Sequence, residues 1–263
     1  MKSKLVFLGT GGSMGVPMIG CSCSVCQSQD SHNRRLRSSA LLQIGEKRFL
    51  IDASPDFREQ ALRVQLKQLS GVLITHSHYD HVGGMDDLRV FHILQKVRLP
   101  CYLSEEAFGE IKNRYAYFFR PISEQISVSP QLDFHVLKED TGRFTCDSVT
   151  FKYLTFFQPG TKVTGYRLGD LAYVSDIRTY SESVFDELAG VEILILSALR
   201  WTPSPMHFSI DEAVAFARKV GAKKTYFTHI AHELDHRETN AKLPPDIRLA
   251  YDGLEIPFHV KET

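Results

Sequence analysis

The chain has 263 residues, of which 43% are apolar and 24% charged, and both values are ordinary for globular proteins. Its 31 basic and 31 acidic residues cancel, so the net charge gives no reason to expect binding to nucleic acid or to a membrane surface. No apolar run approaches the ~20 residues that span a bilayer, and the short run from Leu5 to Leu8 does not resemble a signal peptide. We therefore expect a cytoplasmic protein, with a single domain over 1–263.

Strands and helices alternate along most of the chain. The predicted strands are Lys4–Leu8, Ser39–Ile44, Lys47–Asp52, Gly71–Thr75, Val149–Phe156, Thr164–Leu168, Leu171–Ser175, Ile193–Ser197 and Lys224–Thr228. Three predicted helices are Pro55–Leu66, Met85–Leu94 and Ser104–Phe119. Two more begin at capping boxes: the first box is formed by Thr179 and Glu182, and its helix runs to Ala189, and the second is formed by Ser209 and Glu212. Because helices follow strands so regularly, we expect them to cover the faces of a sheet.

A long loop follows the first strand, and we predict a zinc-binding region at about 9–37. Three of the five cysteines lie within six positions of this loop: Cys21, Cys23 and Cys26. An odd number of cysteines argues against a disulfide framework, whereas three thiols can supply three corners of a tetrahedral zinc site. The fourth ligand must come from elsewhere, and we choose His232. The alternative is a set of free buried thiols, which is what we expect for Cys101 and Cys146.

The strand Gly71–Thr75 is followed at once by three histidines and an aspartate: His76, His78, Asp80 and His81. Imidazole and carboxylate groups suit zinc, iron and manganese. Residues i and i+2 of an extended chain point the same way, so His76 and His78 can bind one ion, and the following turn lets Asp80 and His81 reach a second. Two ions about 3.5–4 Å apart can generate a hydroxide at neutral pH. The alternative is a histidine-rich surface loop, which the constrained order of these residues disfavours.

The run Thr75-His76-Ser77-His78-Tyr79-Asp80-His81 resembles the metal-binding motif of the metallo-β-lactamase superfamily, and Leu50-Ile51-Asp52-Ala53 resembles its aspartate-bearing strand end. The resemblance covers nearly the whole chain and implies an α/β, four-layer αββα fold of two mixed sheets. The histidine at position 81 is typical of phosphodiesterases, nucleases and thioester hydrolases of the superfamily. The cysteine loop is similar to that of the carbon–phosphorus-lyase accessory phosphodiesterase group, which carries a structural zinc. The resemblance implies that Cys21, Cys23, Cys26 and His232 are the zinc ligands of this chain. A pyrroloquinoline-quinone biosynthesis protein shares the loop.

The resemblance also implies further residues of the hydrolytic centre. Asp176, at the end of a predicted strand, matches the bridging carboxylate, with a helix N-cap as the alternative reading. His229 matches a late metal-binding histidine, with a core histidine as the alternative. Gln158 stands where relatives carry a histidine. A glutamine oxygen is a weak, hard ligand that suits magnesium or manganese better than zinc.

Two residues receive a catalytic role. Asp80 would bind metal and orient the attacking hydroxide. His207 lies immediately before the helix that begins at Ser209, and the matching family histidine is thought to bind a phosphate oxygen or protonate a leaving group. Its alternative is a histidine that only packs at the helix start. Asp56 and Arg58 are our guesses for further residues of the pocket.

Together these features predict a phosphodiesterase that uses a metal-bridging hydroxide on a small phosphodiester. The resemblance implies two divalent ions, zinc or manganese, in the hydrolytic centre, the first of them weakened by Gln158, and one structural zinc. A nuclease or RNA-processing hydrolase is the first alternative, although the sequence has no basic cluster to hold nucleic acid. A non-catalytic binding protein, in which Gln158 marks a degraded site, is the second. A homodimer is left open.

Overall fold

The computed structural model describes residues 3–121 and 128–260, so the predicted domain over 1–263 includes a few positions outside these ranges. The described strands are β1 Ser3–Gly9, β2 Ser39–Ile44, β3 Lys47–Ile51, β4 Gly71–Leu73, β5 Leu99–Ser104, β6 Leu132–Leu137, β7 Thr141–Cys146, β8 Val149–Gln158, β9 Thr161–Leu168, β10 Leu171–Val174, β11 Ile193–Ser197, β12 Lys224–Thr228, β13 Ile247–Leu249 and β14 Glu255–Phe258. The described α-helices are α1 Phe57–Arg63, α2 Tyr79–Val82, α3 Arg89–Gln95, α4 Glu105–Arg114, α5 Val184–Leu188, α6 Ile210–Val220 and α7 His236–Lys242. Short 3₁₀ helices cover Ser31–Asn33, Met85–Leu88 and Ala116–Phe119. Within the two described ranges, every helix is too short or too polar to cross a bilayer.

The described strands form two mixed sheets of seven strands each. The first has the order β14-β1-β2-β3-β4-β5-β6 and the second the order β13-β12-β11-β10-β9-β8-β7. Strands β3 to β6 are parallel in the first sheet, and strands β10 to β13 are parallel in the second. The carboxyl ends of parallel strands share one edge of a sheet, and α/β proteins commonly place their binding groups there.

Apolar side chains fill the spaces between four layers of secondary structure. The cluster between the two sheets includes Phe7, Phe49, Phe151 and Tyr173, and burial of one such ring contributes roughly 1.5–3 kcal/mol. A second cluster joins the first sheet to α1, α3 and α4, and a third joins the second sheet to α5 and α6. Strand β10 is apolar along its whole length because both of its faces are covered. The predicted four-layer αββα architecture is confirmed.

The capping box predicted at Ser209 is confirmed. The Ser209 hydroxyl accepts a hydrogen bond from the Glu212 N–H (3.3 Å), and the Glu212 carboxylate accepts one from the Ser209 N–H (2.9 Å). Helix α6 then turns Ala213, Phe216 and Ala217 into the core. The helix therefore begins where the sequence predicts, directly after the loop that carries His207.

The capping box predicted at Thr179 is wrong. Helix α5 begins only at Val184, and its N-cap residue, Ser183, makes no side-chain capping bond. The Thr179 N–H donates instead to the carbonyl of Phe157, and Glu182 forms an ion pair with Lys219 of α6. Contacts with Phe157 and Lys219 therefore engage both residues that the capping box requires.

Other predicted boundaries shift by a few residues. The predicted helix Met85–Leu94 is a 3₁₀ turn followed by α3, and the predicted helix Ser104–Phe119 is α4, with Ser104 as its N-cap, followed by another 3₁₀ turn. The predicted helix Pro55–Leu66 shortens to α1. Short strands near the chain end and in the middle of the chain were not predicted, namely β5, β6, β7, β13 and β14.

Candidate metal centre

Three residues that follow strand ends supply the centre with charged side chains. Asp52 follows β3, Asp176 comes two residues after β10, and His229 follows β12. Their backbones are left-handed, with φ of 59°, 53° and 57°. This conformation is rare for residues other than glycine and costs on the order of 1–3 kcal/mol each. Such strain accumulates where a function requires it, which makes these strand ends candidates for a functional site.

Asp52 is fully buried and holds the histidine motif in place. Its carboxylate accepts hydrogen bonds from the Thr75 N–H (2.8 Å) and from the Thr75 hydroxyl (2.7 Å). It also lies 2.7 Å from Nδ1 of His81. Nδ1 of His81 therefore donates to Asp52, and Nε2 is left for the other side of the ring. A carboxylate in this position sets the tautomer and the ring orientation of a metal-binding histidine.

Asp176 lies at the middle of the centre. One of its carboxylate oxygens is 3.0 Å from Nε2 of His81, and the other is 3.2 Å from Nε2 of His229. Asp80, in α2, lies 3.5 Å and 3.3 Å from the same two nitrogens. The two oxygens of Asp176 thus face different histidines, which is the arrangement that a bridging carboxylate needs.

The charges of the centre are strongly coupled. Burial alone would lower the pKa of His81, but the carboxylates of Asp176, Asp80 and Asp52 outweigh burial and raise this pKa well above its ordinary value. Burial would raise the pKa of Asp176, yet His229 and His81 hold it well below its usual range. Burial lowers the pKa of His76 well below that of a free histidine. Buried carboxylates in this state require nearby positive charge, which protons or metal ions can supply.

The donor set fits divalent metal ions. Nε2 of His76 and Oε1 of Gln158 are buried and have no hydrogen-bond partner among the described residues. Leaving a buried polar atom without a partner costs about 1–3 kcal/mol. His76, His81 and Asp176 bring ligand atoms within 4.8 Å of one another, as do Asp80, His81 and His229. Imidazole and carboxylate together suit zinc or manganese.

His78 lies at the entrance of the centre. It is the N-cap residue of α2 and is partly exposed, unlike the fully buried His76. Its Nε2 is 3.4 Å from the hydroxyl of Thr161 in β9, and its ring centroid is 4.5 Å from that of His76. With Nε2 beside Thr161, Nδ1 is the nitrogen left to bind an ion.

Gln158 and His207 meet at Asp176. Gln158, the last residue of β8, donates from Nε2 to Asp176 (3.2 Å) and to Nδ1 of His207 (3.0 Å). Nδ1 of His207 is also 3.1 Å from the same oxygen of Asp176. The His207 ring stacks on His229, with the centroids 4.8 Å apart. The structure therefore brings both sequence-predicted residues into the centre, with the amide of Gln158 beside Asp176 and His207.

The cysteine loop folds onto His232. The Sγ atoms of Cys21 and Cys23 each lie 3.4 Å from Nδ1 of His232, and Cys26 completes a group whose ligand atoms lie within 4.8 Å of one another. Tetrahedral zinc, with Zn–S near 2.3 Å and Zn–N near 2.05 Å, requires an S···N separation of about 3.5 Å. His232 lowers the pKa of the Cys23 thiol to about 6, which favours the thiolate that zinc binds. Four donors at these separations fit a closed structural zinc site.

Two guesses about the pocket receive no support from the structure. Asp56 forms an ion pair with Arg37 (2.8 Å), and Arg58 lines a cavity between α1 and α3. Sequence reasoning instead missed Arg200, which shares a cavity with His207. A cation three residues after an apolar strand, in the loop that carries His207, is the signal that could have identified it.

Comparison with known proteins gives consistent results. A family model described as a beta-lactamase superfamily domain matches residues 47–230. A crystal structure described as a new diphosphatase from the PhnP family is 40% identical, covers 99% of this chain and 98% of its own, and superposes with a TM-score of 0.91. The Zn²⁺-bound PqqB of Methylobacterium extorquens is 18% identical over 96% of this chain and 99% of its own, with a TM-score of 0.77, which shows a shared fold. Among curated proteins, an octanoyltransferase of Porphyromonas gingivalis (strain ATCC BAA-308 / W83) is 34% identical over 96% of this chain. The chain spans about half the length of the curated relatives that it matches, 51% in this case.

Proposed function

Because this chain belongs to the beta-lactamase superfamily and, within it, to the PhnP family, we propose that it is a metal-dependent phosphodiester hydrolase. The observation that carries the proposal is the position of Asp176, whose two oxygens face His81 on one side and His229 on the other. This arrangement provides for two neighbouring ions, and two neighbouring ions suit the in-line displacement of an oxygen at phosphorus. The diphosphatase relative supports phosphorus as the atom attacked.

We assign the ligands to two groups. His76 and His78 would hold the first ion together with Asp176, and Asp80, His81 and His229 would hold the second with the same bridging carboxylate. Gln158 replaces an imidazole with an amide in the first group, so the first ion would be the weaker one. When bound, such ions lower the pKa of a coordinated water to about 7 and offset negative charge at phosphorus.

His207 is our candidate for the acid that protonates the leaving oxygen. Gln158 and Asp176 hold its Nδ1, and the ring lines the cavity beside the centre. Nε2 is therefore the nitrogen available to a substrate. To protonate a leaving oxygen the His207 ring must carry protons on both nitrogens, and the carboxylate of Asp176, 3.1 Å from Nδ1, would stabilise that charged ring. In this reading Gln158 orients His207 and is not a sign of decay. Asp80, beside both His81 and His229, would orient the attacking water.

The proposal has three further parts: a structural zinc, a small substrate and a location in the cytoplasm. Cys21, Cys23, Cys26 and His232 would bind one structural zinc that ties the loop to the C-terminal segment. A small phosphodiester is favoured over nucleic acid because basic and acidic residues balance. All five cysteines are free thiols, which agrees with a reducing compartment such as the cytoplasm.

Metal content and turnover test the proposal together. Protein purified without chelator should contain about three ions per chain, and added Mn²⁺ should support hydrolysis of bis-p-nitrophenyl phosphate. His78→Ala and Asp80→Ala should abolish turnover while the zinc of the cysteine site remains. Turnover no higher than that of these variants would reject the phosphodiesterase. One zinc per chain with no turnover would favour a non-catalytic binding protein.

A thioester is the second substrate class that deserves an assay, because the octanoyltransferase relative matches almost all of this chain. That name describes a protein of about twice the matched length, so its activity can belong to the other half. The wild-type protein should therefore hydrolyse octanoyl-coenzyme A no faster than the Asp80→Ala variant does. Faster, metal-dependent hydrolysis of this thioester than of any phosphodiester would overturn the assignment to phosphorus.

A further inference from the structure

The segment that carries His76, His78, Asp80 and His81 is too short to hold its own shape. This metal-binding turn, residues 76–82, contains one regular element, the single helical turn α2. One turn of helix is not stable on its own, because nucleation costs more free energy than one hydrogen bond returns, and the last four carbonyls of any helix lack a partner within it. The orientation of the ligand side chains therefore depends on contacts that other segments make with the turn.

The segment after β3 anchors the metal-binding turn on one side. Asp52 lies 2.7 Å from Nδ1 of His81, and the Gly84 N–H, just beyond the turn, donates to the carbonyl of Ala53 (2.9 Å). A Cβ atom on Gly84 would overlap the carbonyl oxygen of Ser54, so only glycine permits this close approach. These contacts leave carbonyl groups towards both ends of the turn to be bonded from elsewhere.

Tyr115, which directly follows α4, bonds the C-terminal end of the turn. Its hydroxyl donates to the carbonyl of Val82 (2.8 Å), the last residue of α2. Val82 is fully buried, and the Tyr115 ring is itself buried and stacked on Phe118, with the centroids 4.9 Å apart. A buried carbonyl that loses its partner destabilises the conformation that buries it. The Tyr115 hydroxyl therefore completes the helical turn that carries Asp80 and His81.

Arg114, the last residue of α4, bonds the other end of the turn. Its Nη1 donates to the carbonyl of Ser77 (2.7 Å). Ser77 separates His76 from His78, so this bond fixes the backbone that connects the two candidate ligands of the first ion. A hydrogen bond from a charged guanidinium is stronger than one between neutral groups. The contact is exposed, however, and water weakens it, so we expect it to contribute less than the buried bond of Tyr115.

We propose that these two consecutive residues at the end of α4 are positioning residues, one for each metal ion of the hydrolytic centre. Arg114 acts through Ser77 on the ligands of the first ion, and Tyr115 acts through Val82 on those of the second ion. This inference rests on the two ligand groups of the proposed function. Because each residue bonds a backbone carbonyl, its effect on an ion comes from how firmly the ligands are oriented, which is the way that outer partners adjust metal affinity. The affinities of the two ions should therefore change separately.

Calorimetric titration with Mn²⁺ tests the proposal on protein whose hydrolytic centre has been emptied with a chelator while the zinc of the cysteine site is retained. Tyr115→Phe keeps the stacked ring and loses the hydroxyl, so it should weaken the tighter binding step about tenfold or more and leave the weaker step unchanged. Arg114→Ala should weaken the weaker step about three- to tenfold and leave the tighter step unchanged. Arg114→Lys should restore part of this loss, because an ammonium group can still donate to the carbonyl.

Two variants of the same segment are the matched controls. Tyr117→Phe removes a hydroxyl that donates to the side chain of Asp86 (2.9 Å), and Lys112→Ala removes an exposed side chain of α4. Both should leave the two binding steps unchanged.

Three outcomes would contradict the proposal. Equal weakening of both steps by Tyr115→Phe or by Arg114→Ala, in proportion to the loss of stability against denaturant, would indicate a purely structural role. Two binding steps in the wild-type protein that neither variant changes would overturn this inference alone. A wild-type protein that binds no Mn²⁺ at the centre would overturn the ligand groups of the proposed function, and this inference with them.

Discussion

The left-handed backbone at Asp52 determines which substitution can test this residue. Asparagine tolerates positive φ, whereas alanine would add strain unrelated to chemistry. We predict that Asp52→Asn weakens metal binding or activity about 10- to 100-fold, because an amide holds His81 less firmly than the carboxylate that now accepts its Nδ1–H. The measurement is metal affinity by competition with a chelator.

Asp56→Asn is the matched control for this change. Asp56 lies four residues away and pairs with Arg37, with no role proposed in the metal centre. Its substitution should leave metal affinity unchanged. An Asp52→Asn variant that binds metal as tightly as wild type would show that His81 does not depend on its buried partner.

A substitution at Gln158 distinguishes two interpretations of the hydrolytic centre: Gln158 either orients His207 or is a degraded metal ligand. If its amide orients His207, Gln158→His should bind zinc about tenfold or more tightly, because imidazole is the better ligand. The same variant should lose turnover, because the hydrogen bond from Nε2 to His207 disappears. Zinc titration and steady-state kinetics measure the two effects. A gain in both affinity and turnover would favour the reading of Gln158 as a degraded ligand.

At the scale of the element, the two capping boxes offer a paired test. Ser209→Ala should lower the free energy of unfolding by about 1 kcal/mol, because α6 loses the hydroxyl that accepts the Glu212 N–H. Thr179→Ala should change it by less than about 0.5 kcal/mol, because Thr179 does not cap α5. Denaturant unfolding measures both. Similar losses in the two variants would mean that Thr179 stabilises the chain in another way.

The sequence identifies those elements whose pattern is local. Strands β4 and β11 are short apolar runs and β12 leads directly into His229, and all three were predicted. Strand β7 was not predicted although exposed and more buried residues alternate in it, because Thr141–Cys146 contains a glycine and only two apolar side chains, Phe144 and Cys146. Strand β14 contains Pro257, which sequence rules discourage in strands, and the structure accommodates it at the edge of a sheet.

The metal-ligand candidates were predictable for the same reason: four of them lie within six positions, Asp176 and His229 closely follow strands, and the three cysteines lie close together in one loop. The contacts between distant segments were not. His207 touches Asp176 and Gln158 only because a loop from the second sheet folds back over the centre. Arg200 shares its cavity with residues 12–15, which lie 185–188 positions away in the sequence. No periodicity or residue spacing in the sequence indicates such contacts between distant segments.

At the scale of the molecule, residues from both ends of the described chain interlock. The buried Arg35 donates to the carbonyl of Ala250 (2.7 Å), and Asp252 accepts from the Thr10 N–H (2.9 Å). The cysteine loop contacts His232 in the same region. A zinc ion at this junction would hold the cysteine loop and the segment that carries His232 together.

We predict that Cys23→Ser removes one zinc per chain and lowers the free energy of unfolding by on the order of 3 kcal/mol or more. Cys146→Ser is the matched control, because Cys146 lies outside the group of metal-binding residues and its Sγ is within reach of the Ser70 carbonyl, which a serine hydroxyl can also use. Elemental mass spectrometry and denaturant unfolding measure the two effects. Equal stability of the two variants would deny the cysteine site a structural role.

Strand β1 pairs with β14, so Ser3 lies opposite Phe258, and the earliest and latest strands of the described chain are neighbours. A ribosome produces them in order, at about 5–20 residues per second. Cys26 therefore emerges some 206 residues ahead of His232, which at that rate is about 10–40 s. Throughout this interval the three thiols lack their imidazole partner, and the outer edge of β1 lacks its strand. A nascent chain of this protein thus depends on reducing conditions until His232 has been made, and on protection from aggregation until β14 has been made.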